Sequence, residues 1–286
     1  MKGTRETMKC GLLLLVLATL AFATDVTSQA TVTNQAPSVG SLTITGATGG
    51  IDLSAGSTAA VDCNATITDS NGYNDVASAN AVIWANTTTE GGEADYTGHY
   101  ANASCTLSGG SGTTVNARCT FYLQFYANET DWTCKVYAVD NASQSASNNS
   151  TVAVNQLVAL DLASATLNFG AALAPGTGQG TSNKTETVTN YGNTQIDIRV
   201  NGTVMSHASL VASIAVGNLY YDITSNAMES ETALSAVATT VSSFNLAKGA
   251  ASTKDSWWDL HVPAGSAQWV PAGTYSGTIT VSAIAG

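Results

Sequence analysis

Residues 115–125 read VNARCTFYLQF, and this stretch decides the fold class. Apolar side chains occupy alternate positions from Val115 through Cys119 to Phe125. An alternation with a period of two predicts a β-strand with one buried face and one hydrated face. The same alternation occurs in residues 59–67 and 132–138, and each of the three segments carries a cysteine on its apolar side.

Turn residues, such as GGSG at 109–112, separate these segments, as is typical of antiparallel β-sandwiches. Only residues 228–238 are ambiguous between strand and helix. We therefore predict an all-β fold with two tandem antiparallel β-sandwiches. In the second half the clearest predicted strands are 157–163, 185–191, 196–202, 219–224, 257–262 and 273–285.

The first 23 residues have the pattern of a secretory signal peptide. Lys2, Arg5 and Lys9 precede an apolar run at 10–23 that is too short to span a bilayer comfortably. The run closes on Ala-Phe-Ala, which predicts cleavage before Thr24; an uncleaved anchor is the alternative. No second apolar run of bilayer length follows, so we expect no membrane span in the mature chain.

The cysteines divide the mature chain, because all four lie before residue 135. We expect a signal peptide at 1–23, a linker at 24–37, a disulfide-bearing Ig-like sandwich at 38–155 and a second β-sandwich at 156–286. About 260 mature residues suffice for two such cores.

The charge of the chain excludes one class of partner. Removal of the leader takes away three cations and one acid, so the formal net charge falls from −11 to −13. A chain this acidic, with scattered cations, repels phosphate backbones and anionic lipids. We therefore expect no nucleic-acid partner.

The remaining cysteines are Cys63, Cys105, Cys119 and Cys134. An even number in an exported chain predicts two disulfides, and three connectivities are compatible with four cysteines. A zinc site is the weaker interpretation, because no C-x-x-C pair occurs and the chain has three histidines.

Glycosylation is predicted from nine Asn-x-Ser/Thr sequons, although about five are expected by chance in so polar a composition. Those on predicted strands face away from the apolar side, and the others fall in loops or outer positions. The sequons are at Asn64, Asn86, Asn102, Asn128, Asn141, Asn148, Asn149, Asn183 and Asn201.

Residues 69–75 read DSNGYND and place oxygen-bearing side chains around a glycine turn. The pattern is compatible with Ca²⁺, with Asp69, Asn71 and Asp75 as ligands, although it is not an EF-hand loop. An Asx-rich turn without metal explains the same residues, and on the sequence alone we favour it.

No catalytic constellation stands out, and we expect that the protein is not an enzyme. Trp257 and Trp269, with Tyr220 and Tyr221, are candidates for an aromatic platform that stacks on sugars. Trp258 shares its strand phase with Leu260 and Val262, so it is predicted to be core.

Residues 36–155 resemble an immunoglobulin-like or PKD-like domain. Cys63 corresponds to strand B, Trp84 to the end of strand C and residues 132–140 (WTCKVYAVD) to strand F. The resemblance implies that Cys63 bonds Cys134 across the two sheets, with Trp84 packed on the bond. Cys105 and Cys119 then pair across the hairpin around 107–112.

The second half is similar to secreted sandwich modules of archaeal and bacterial surface proteins, at 189–193 (TNYGN), 258–263 (WDLHVP) and 273–279 (GTYSGTI). The tandem as a whole resembles exported archaeal surface proteins. The resemblance implies a non-catalytic, secreted or cell-surface glycoprotein with a structural, adhesive or assembly role. Its expected partners are other surface proteins or copies of itself; a carbohydrate-binding module is the alternative.

Overall fold

The computed structural model describes residues 27–46, 48–170, 174–176, 184–225, 230–264 and 268–286. The predicted signal peptide, the first residues of the linker and the sequon at Asn183 lie outside these residues. The described residues contain no α-helix, and two single 3₁₀ turns occur at Tyr73–Asp75 and Val216–Asn218. The all-β prediction is confirmed.

The first half of the chain forms nine strands. They are β1 (Ser38–Val39), β2 (Thr43–Ile44), β3 (Thr58–Thr68), β4 (Val76–Ala85), β5 (His99–Asn102), β6 (Thr106–Ser111), β7 (Thr114–Gln124), β8 (Asp131–Asp140) and β9 (Ser145–Ala153).

These strands make two antiparallel sheets. One has the order β1-β3-β7-β6, with β2 also paired to β3, and the other has the order β5-β4-β8-β9. The alternation read from the sequence places Val61, Phe121 and Val136 in a single core between the sheets. Strands β3 and β8, which carry Cys63 and Cys134, therefore lie in opposite sheets.

The expectation for Trp84 is wrong. In β4 the residues that face the core are Ala81, Ile83 and Ala85, so the alternation turns Trp84 to the other face, where it is half-buried. The buried indole of this half is Trp132, which is fully buried, and its Nε1 donates a hydrogen bond to the carbonyl of Asn128 at 2.8 Å.

The described residues of the second half form eleven strands. They are β10 (Leu160–Leu162), β11 (Lys184–Asn190), β12 (Ile196–Gly202), β13 (Met205–His207), β14 (Ser213–Ile214), β15 (Leu219–Asp222), β16 (Thr232–Ala233), β17 (Thr239–Leu246), β18 (Thr253–Leu260), β19 (Tyr275–Ser276) and β20 (Ile279–Ala285).

One sheet of the second half has the order β10-β11-β18-β15-β16. Two further sheets have three strands each, in the orders β17-β12-β20 and β14-β13-β19. The second sheet extends the first, because β13 follows β12 and β20 follows β19 after short interruptions. The core of this half contains Trp258, as its phase predicts, together with Phe244 and Ile198. The ambiguous segment contributes β16, while residues 226–229 lie outside the described residues.

The two halves have separate hydrophobic cores, yet residues 34–286 belong to one compact unit. The first core ends at Val154 and the buried residues of the second begin at Phe169. The division into independent domains at residue 155 stays a prediction.

Candidate functional site

Two disulfides lie within the first core. Cys63 is bonded to Cys134 across the sheets, with 6.7 Å between their Cα atoms, and Cys105 is bonded to Cys119 across the β6–β7 hairpin, with 4.5 Å between theirs. These are the pairs that the Ig-like resemblance implied. All four cysteines are buried, so the bonds act on the folded core rather than at the surface.

The two halves are joined by a buried asparagine. The side chain of Asn193 accepts a hydrogen bond from the N–H of Leu157 at 2.7 Å and donates one to the carbonyl of Asn155 at 3.0 Å. Its backbone N–H donates to the carbonyl of Leu157, also at 3.0 Å. Only 2% of Asn193 is exposed, and its two side-chain hydrogen bonds are partly shielded from water.

Aromatic and charged contacts extend this junction. The ring of Tyr191 lies edge-on to Phe125 with 5.5 Å between centroids, and it packs directly over Gly56. Lys248 Nζ donates to Asn128 Oδ1 at 2.5 Å. Burial lowers the pKa of Lys248, which the negative charge of Glu129 partly offsets.

The described sequon asparagines are all at least partly accessible. Asn86, Asn141 and Asn149 are exposed, and Asn64, Asn102, Asn128, Asn148 and Asn201 are half-buried. This placement is compatible with glycans on the outer faces.

Several sequon nitrogens, however, are already used in the folded protein. Asn102 Nδ2 donates to the carbonyl of Thr120 at 2.9 Å, and Asn148 Nδ2 donates to the carbonyl of Gly40 at 3.0 Å. Asn141 Nδ2 donates to the carbonyl of Asn74 at 3.1 Å. An N-glycan is attached through this nitrogen, so it competes with these bonds.

A cleft of about 1000 Å³ opens between the sheets of the second half. Its walls are largely apolar and include Leu162, Trp258 and Tyr275. Glu186, from β11, is the acidic side chain among the residues that line it; only 3% of Glu186 is exposed. Its Oε1 accepts a hydrogen bond from the N–H of Ser164 at 2.8 Å, whereas Oε2 is buried and receives no hydrogen bond from the residues that the structure describes.

The structure divides the predicted aromatic platform, because Tyr220 and Trp257 share the outer face of β15 and β18 whereas Tyr221 faces the core. Trp258 lines the cleft, so its neighbour Trp257 lies on the opposite face of β18. Tyr221 is buried against Trp258, with 5.7 Å between ring centroids. Trp269 is 61% exposed and adjoins Val270, which lines the cleft. Of the four aromatic residues, Trp269 alone is widely exposed and next in sequence to a residue that lines the cleft.

A pair of carboxyl groups that the sequence did not reveal lies on β18 and the segment before β16. Asp259 is fully buried, and burial raises its pKa, which the hydrogen bond from Glu231 and the charge of Lys184 partly offset. The pKa of Glu231 is raised to about 7, first by burial and then by the charge and hydrogen bond of Asp259 and the charge of Asp222.

The acidic loop predicted as a calcium site lies at one end of the first half. Asp69 and Asp75 do approach each other, and they are joined by Asp140 from the end of β8. Sequence reasoning missed Asp140 because more than 60 residues separate it from the loop. Asn71, the third predicted ligand, makes hydrogen bonds instead. Its Oδ1 accepts a hydrogen bond from the N–H of Gln35 at 2.7 Å, and its own N–H donates to Asp69 Oδ1.

Among the described residues, no helix has the length and apolar character needed to cross a bilayer.

No protein-family model matches the chain, and no curated protein matches it. Among the solved structures that match is one reported for the promiscuous specificity of carbohydrate-binding modules of the β-sandwich superfamily, with 14% identity and a TM-score of 0.22. The match covers 88% of this chain and 97% of that one. At this TM-score the functional interpretation rests on the residues of the chain itself.

Proposed function

We propose that the chain is an exported, non-catalytic surface glycoprotein with a structural, adhesive or assembly role. The observation that carries this proposal is the junction in which Asn193 bonds the backbone of Asn155 and Leu157. These hydrogen bonds join the end of the first half to the second half, which suits a protein that bears mechanical load between partners. The resemblance to archaeal surface proteins with an Ig/PKD-like domain agrees with this role.

Two further features support export. Both disulfides form in an oxidising compartment, and such bonds are rare in the reducing cytosol. The described sequons are at least partly accessible, and Asn86 and Asn149 are exposed. In the described part of the chain Asn86 accepts a hydrogen bond through Oδ1 and Asn149 donates one from its backbone N–H, so Nδ2 of each residue is available for a glycan. The proposed partners are other surface proteins or further copies of this chain.

The native protein tests the proposal. Intact-mass analysis and peptide mapping are expected to find a mature N-terminus at Thr24 and glycans on Asn86 and Asn149, with Asn102 and Asn148 unmodified. Cell fractionation is expected to recover the protein with the envelope or as an extracellular polymer. Recovery of an unmodified chain that retains Met1 and reduced cysteines from the cytosol would contradict the proposal.

Carbohydrate binding is the second candidate function, and it is favoured by the buried, unpartnered Glu186 Oε2 in the cleft of the second half. A sugar hydroxyl is a donor of the kind this oxygen lacks, and Trp269 offers a surface for stacking at the rim. A glycan array with the mature chain is expected to give saturable binding that weakens at least tenfold in Glu186→Gln and Trp269→Ala. Trp257→Ala is the control, because Trp257 lies on the other face of β18. Binding lost only in Trp257→Ala, or no binding at all, would reject this candidate.

A further inference from the structure

We propose that Asp69, Asp75 and Asp140 bind one calcium ion at the end of the first half. Each residue offers one carboxylate oxygen, and these three oxygens lie within 4.8 Å of one another. Calcium–oxygen distances are about 2.5 Å, so two ligand oxygens on one ion are at most about 5 Å apart. The spacing therefore fits a single ion held between the three carboxylates.

Three separate segments bring these carboxylates together. Asp69 directly follows β3, Asp75 ends the 3₁₀ turn that leads into β4, and Asp140 is the last residue of β8. Since β3 and β8 belong to opposite sheets, the cluster closes one end of the sandwich. A bound ion would tie the β3–β4 connection to the β8–β9 turn.

The state of Asp69 is the independent observation that points to a ligand. Asp69 is fully buried, and its Oδ1 accepts a hydrogen bond from the N–H of Asn71 at 2.8 Å. Its Oδ2 is also buried, and no residue in the described part of the chain donates a hydrogen bond to it. A buried carboxylate oxygen without a partner is costly, and a cation in contact with it removes that cost.

Positive side chains do not supply the missing charge. The two ion pairs in the described part of the chain join Arg118 to Asp62 and Lys135 to Glu90, away from the cluster. Asp75 Oδ1 accepts a hydrogen bond from the neutral amide of Asn141 at 3.2 Å. Neutral donors orient the carboxylates but do not offset the repulsion between their negative charges. A divalent cation would offset this repulsion.

Asp140 is held in place at the end of β8 by neutral donors. The amide of Asn34 donates to Oδ2 at 2.8 Å, and the N–H of Gln144 donates to Oδ1 at 2.7 Å. The N–H of Ala142 also donates to Oδ1, at 2.9 Å. These contacts fix the position of the carboxylate within the cluster.

The donor set favours calcium over other metals. All three side chains offer oxygen, which Ca²⁺ and Mg²⁺ prefer, whereas Zn²⁺ is held mostly by nitrogen and sulfur. Mg²⁺ requires octahedral oxygens at about 2.1 Å and retains its water, while Ca²⁺ accepts wider and irregular sites. Asn71, whose Oδ1 accepts the N–H of Gln35, positions the loop, and Asp140 takes its place in the predicted ligand set.

Calorimetry and thermal melting of the chelator-treated mature chain test the site. Titration with CaCl₂ is expected to show one ion bound per chain. The melting temperature is expected to rise by about 5–10 °C at a free Ca²⁺ concentration a hundredfold above the dissociation constant, by linkage. Mg²⁺ at the same concentration is expected to give a smaller rise.

Asp69→Asn keeps an acceptor for the N–H of Asn71 but removes a charge, so we expect affinity for Ca²⁺ to fall at least tenfold. The melting temperature of the metal-free variant should stay the same or rise, because repulsion is reduced. Asp75→Asn, at a half-buried position, serves the same purpose if Asp69→Asn does not fold. Asp161→Asn, at an exposed position of β10, is the matched control and should bind Ca²⁺ as the unsubstituted chain does.

Two outcomes would overturn the proposal. One is no heat of binding and no shift in melting temperature up to Ca²⁺ concentrations of about 10 mM, beyond the range of extracellular sites. The other is binding that persists unchanged in Asp69→Asn, Asp75→Asn and Asp140→Asn. An equal response to Mg²⁺ would reject the assignment of the site to calcium.

Discussion

Glu231 is a single residue whose protonation is coupled to folding. Its pKa is raised from 4.5 to about 7 in the folded protein, by burial first and then by the charge of Asp259. The folded state therefore keeps the proton that the unfolded chain releases above pH 4.5. This contribution to stability is complete below pH 4.5 and is lost as the pH rises towards 7.

We predict that the free energy of unfolding falls by about 1 kcal/mol between pH 4.5 and 7 because of Glu231. The full shift corresponds to roughly 3 kcal/mol, and solvent screening of this partly exposed group reduces it. In Glu231→Gln the side chain stays neutral, so denaturant titrations across this range should lack that decrease. Glu93→Gln, at an exposed position, is the control. An identical pH dependence in Glu231→Gln and the unsubstituted chain would refute the coupling.

Single residues also mark the limit of sequence reasoning about the sites. Period-two alternation correctly placed Trp258 in the core, because one strand fixes that orientation. It did not join Asp140 to Asp69, because their approach depends on how two sheets stack. Glu186 likewise became a candidate site residue only because it is buried beside a cleft, and the local sequence around residue 186 does not predict that cleft.

At the scale of elements, strands with strong alternation were predicted well and weakly patterned strands were missed. Residues 115–125 and 132–138 fall within β7 and β8 almost entirely. Strand β17 was missed because six of its eight residues are not buried and only Phe244 and Leu246 enter the core. Its Asn245 also has a positive φ of 44°, a conformation unusual within a strand. The strand conformation of β17 therefore depends on its pairing with β12 more than on its own sequence pattern.

The two disulfides join elements over very different lengths of chain, and this difference predicts their contributions to stability. The Cys63–Cys134 bond closes a separation of 71 residues, and the Cys105–Cys119 bond closes one of 14. In the chain-entropy model these loops contribute about 4 and about 3 kcal/mol. Replacement of Cys63 and Cys134 with Ala is therefore expected to lower the melting temperature more than replacement of Cys105 and Cys119.

Calorimetric melting of the two double variants measures the difference. Non-reducing peptide mapping should first establish that each variant keeps its remaining native bond. A larger loss of stability in the Cys105/Cys119 double variant would show that strain or local packing, rather than loop length, decides the contribution of each bond.

At the scale of the whole molecule, the junction residue Asn193 decides whether the halves act together. Asn193→Ala leaves the N–H of Leu157 and the carbonyl of Asn155 without the side-chain partner that each has now. A fully buried group left unsatisfied costs about 1–3 kcal/mol, and these two groups are half-buried, so we predict a total loss of about 1–3 kcal/mol. Urea unfolding followed by tryptophan fluorescence measures the loss, and we expect the single transition to broaden or divide.

The matched control is Asn218→Ala. Asn218 is half-buried in the second half, and in the part of the chain that the structure describes its hydrogen bonds involve only its backbone. Equal destabilisation by the two substitutions would mean that Asn193 has no special role in coupling the halves.

The register between β3 and β7 also affects how the chain reaches its oxidised state. Cys63 lies directly opposite Cys119, which in turn lies opposite Cys105 across the hairpin. The chain is made from its N-terminus, so Cys63 and Cys119 precede Cys134, and a non-native Cys63–Cys119 bond can form before the native partner is present. Rapid closure of the short hairpin loop removes Cys119 from this competition. Acid-quenched refolding intermediates should therefore contain Cys105–Cys119 first, and early accumulation of Cys63–Cys119 would contradict this order. The bond with the smaller thermodynamic contribution thus governs the yield of correctly oxidised protein.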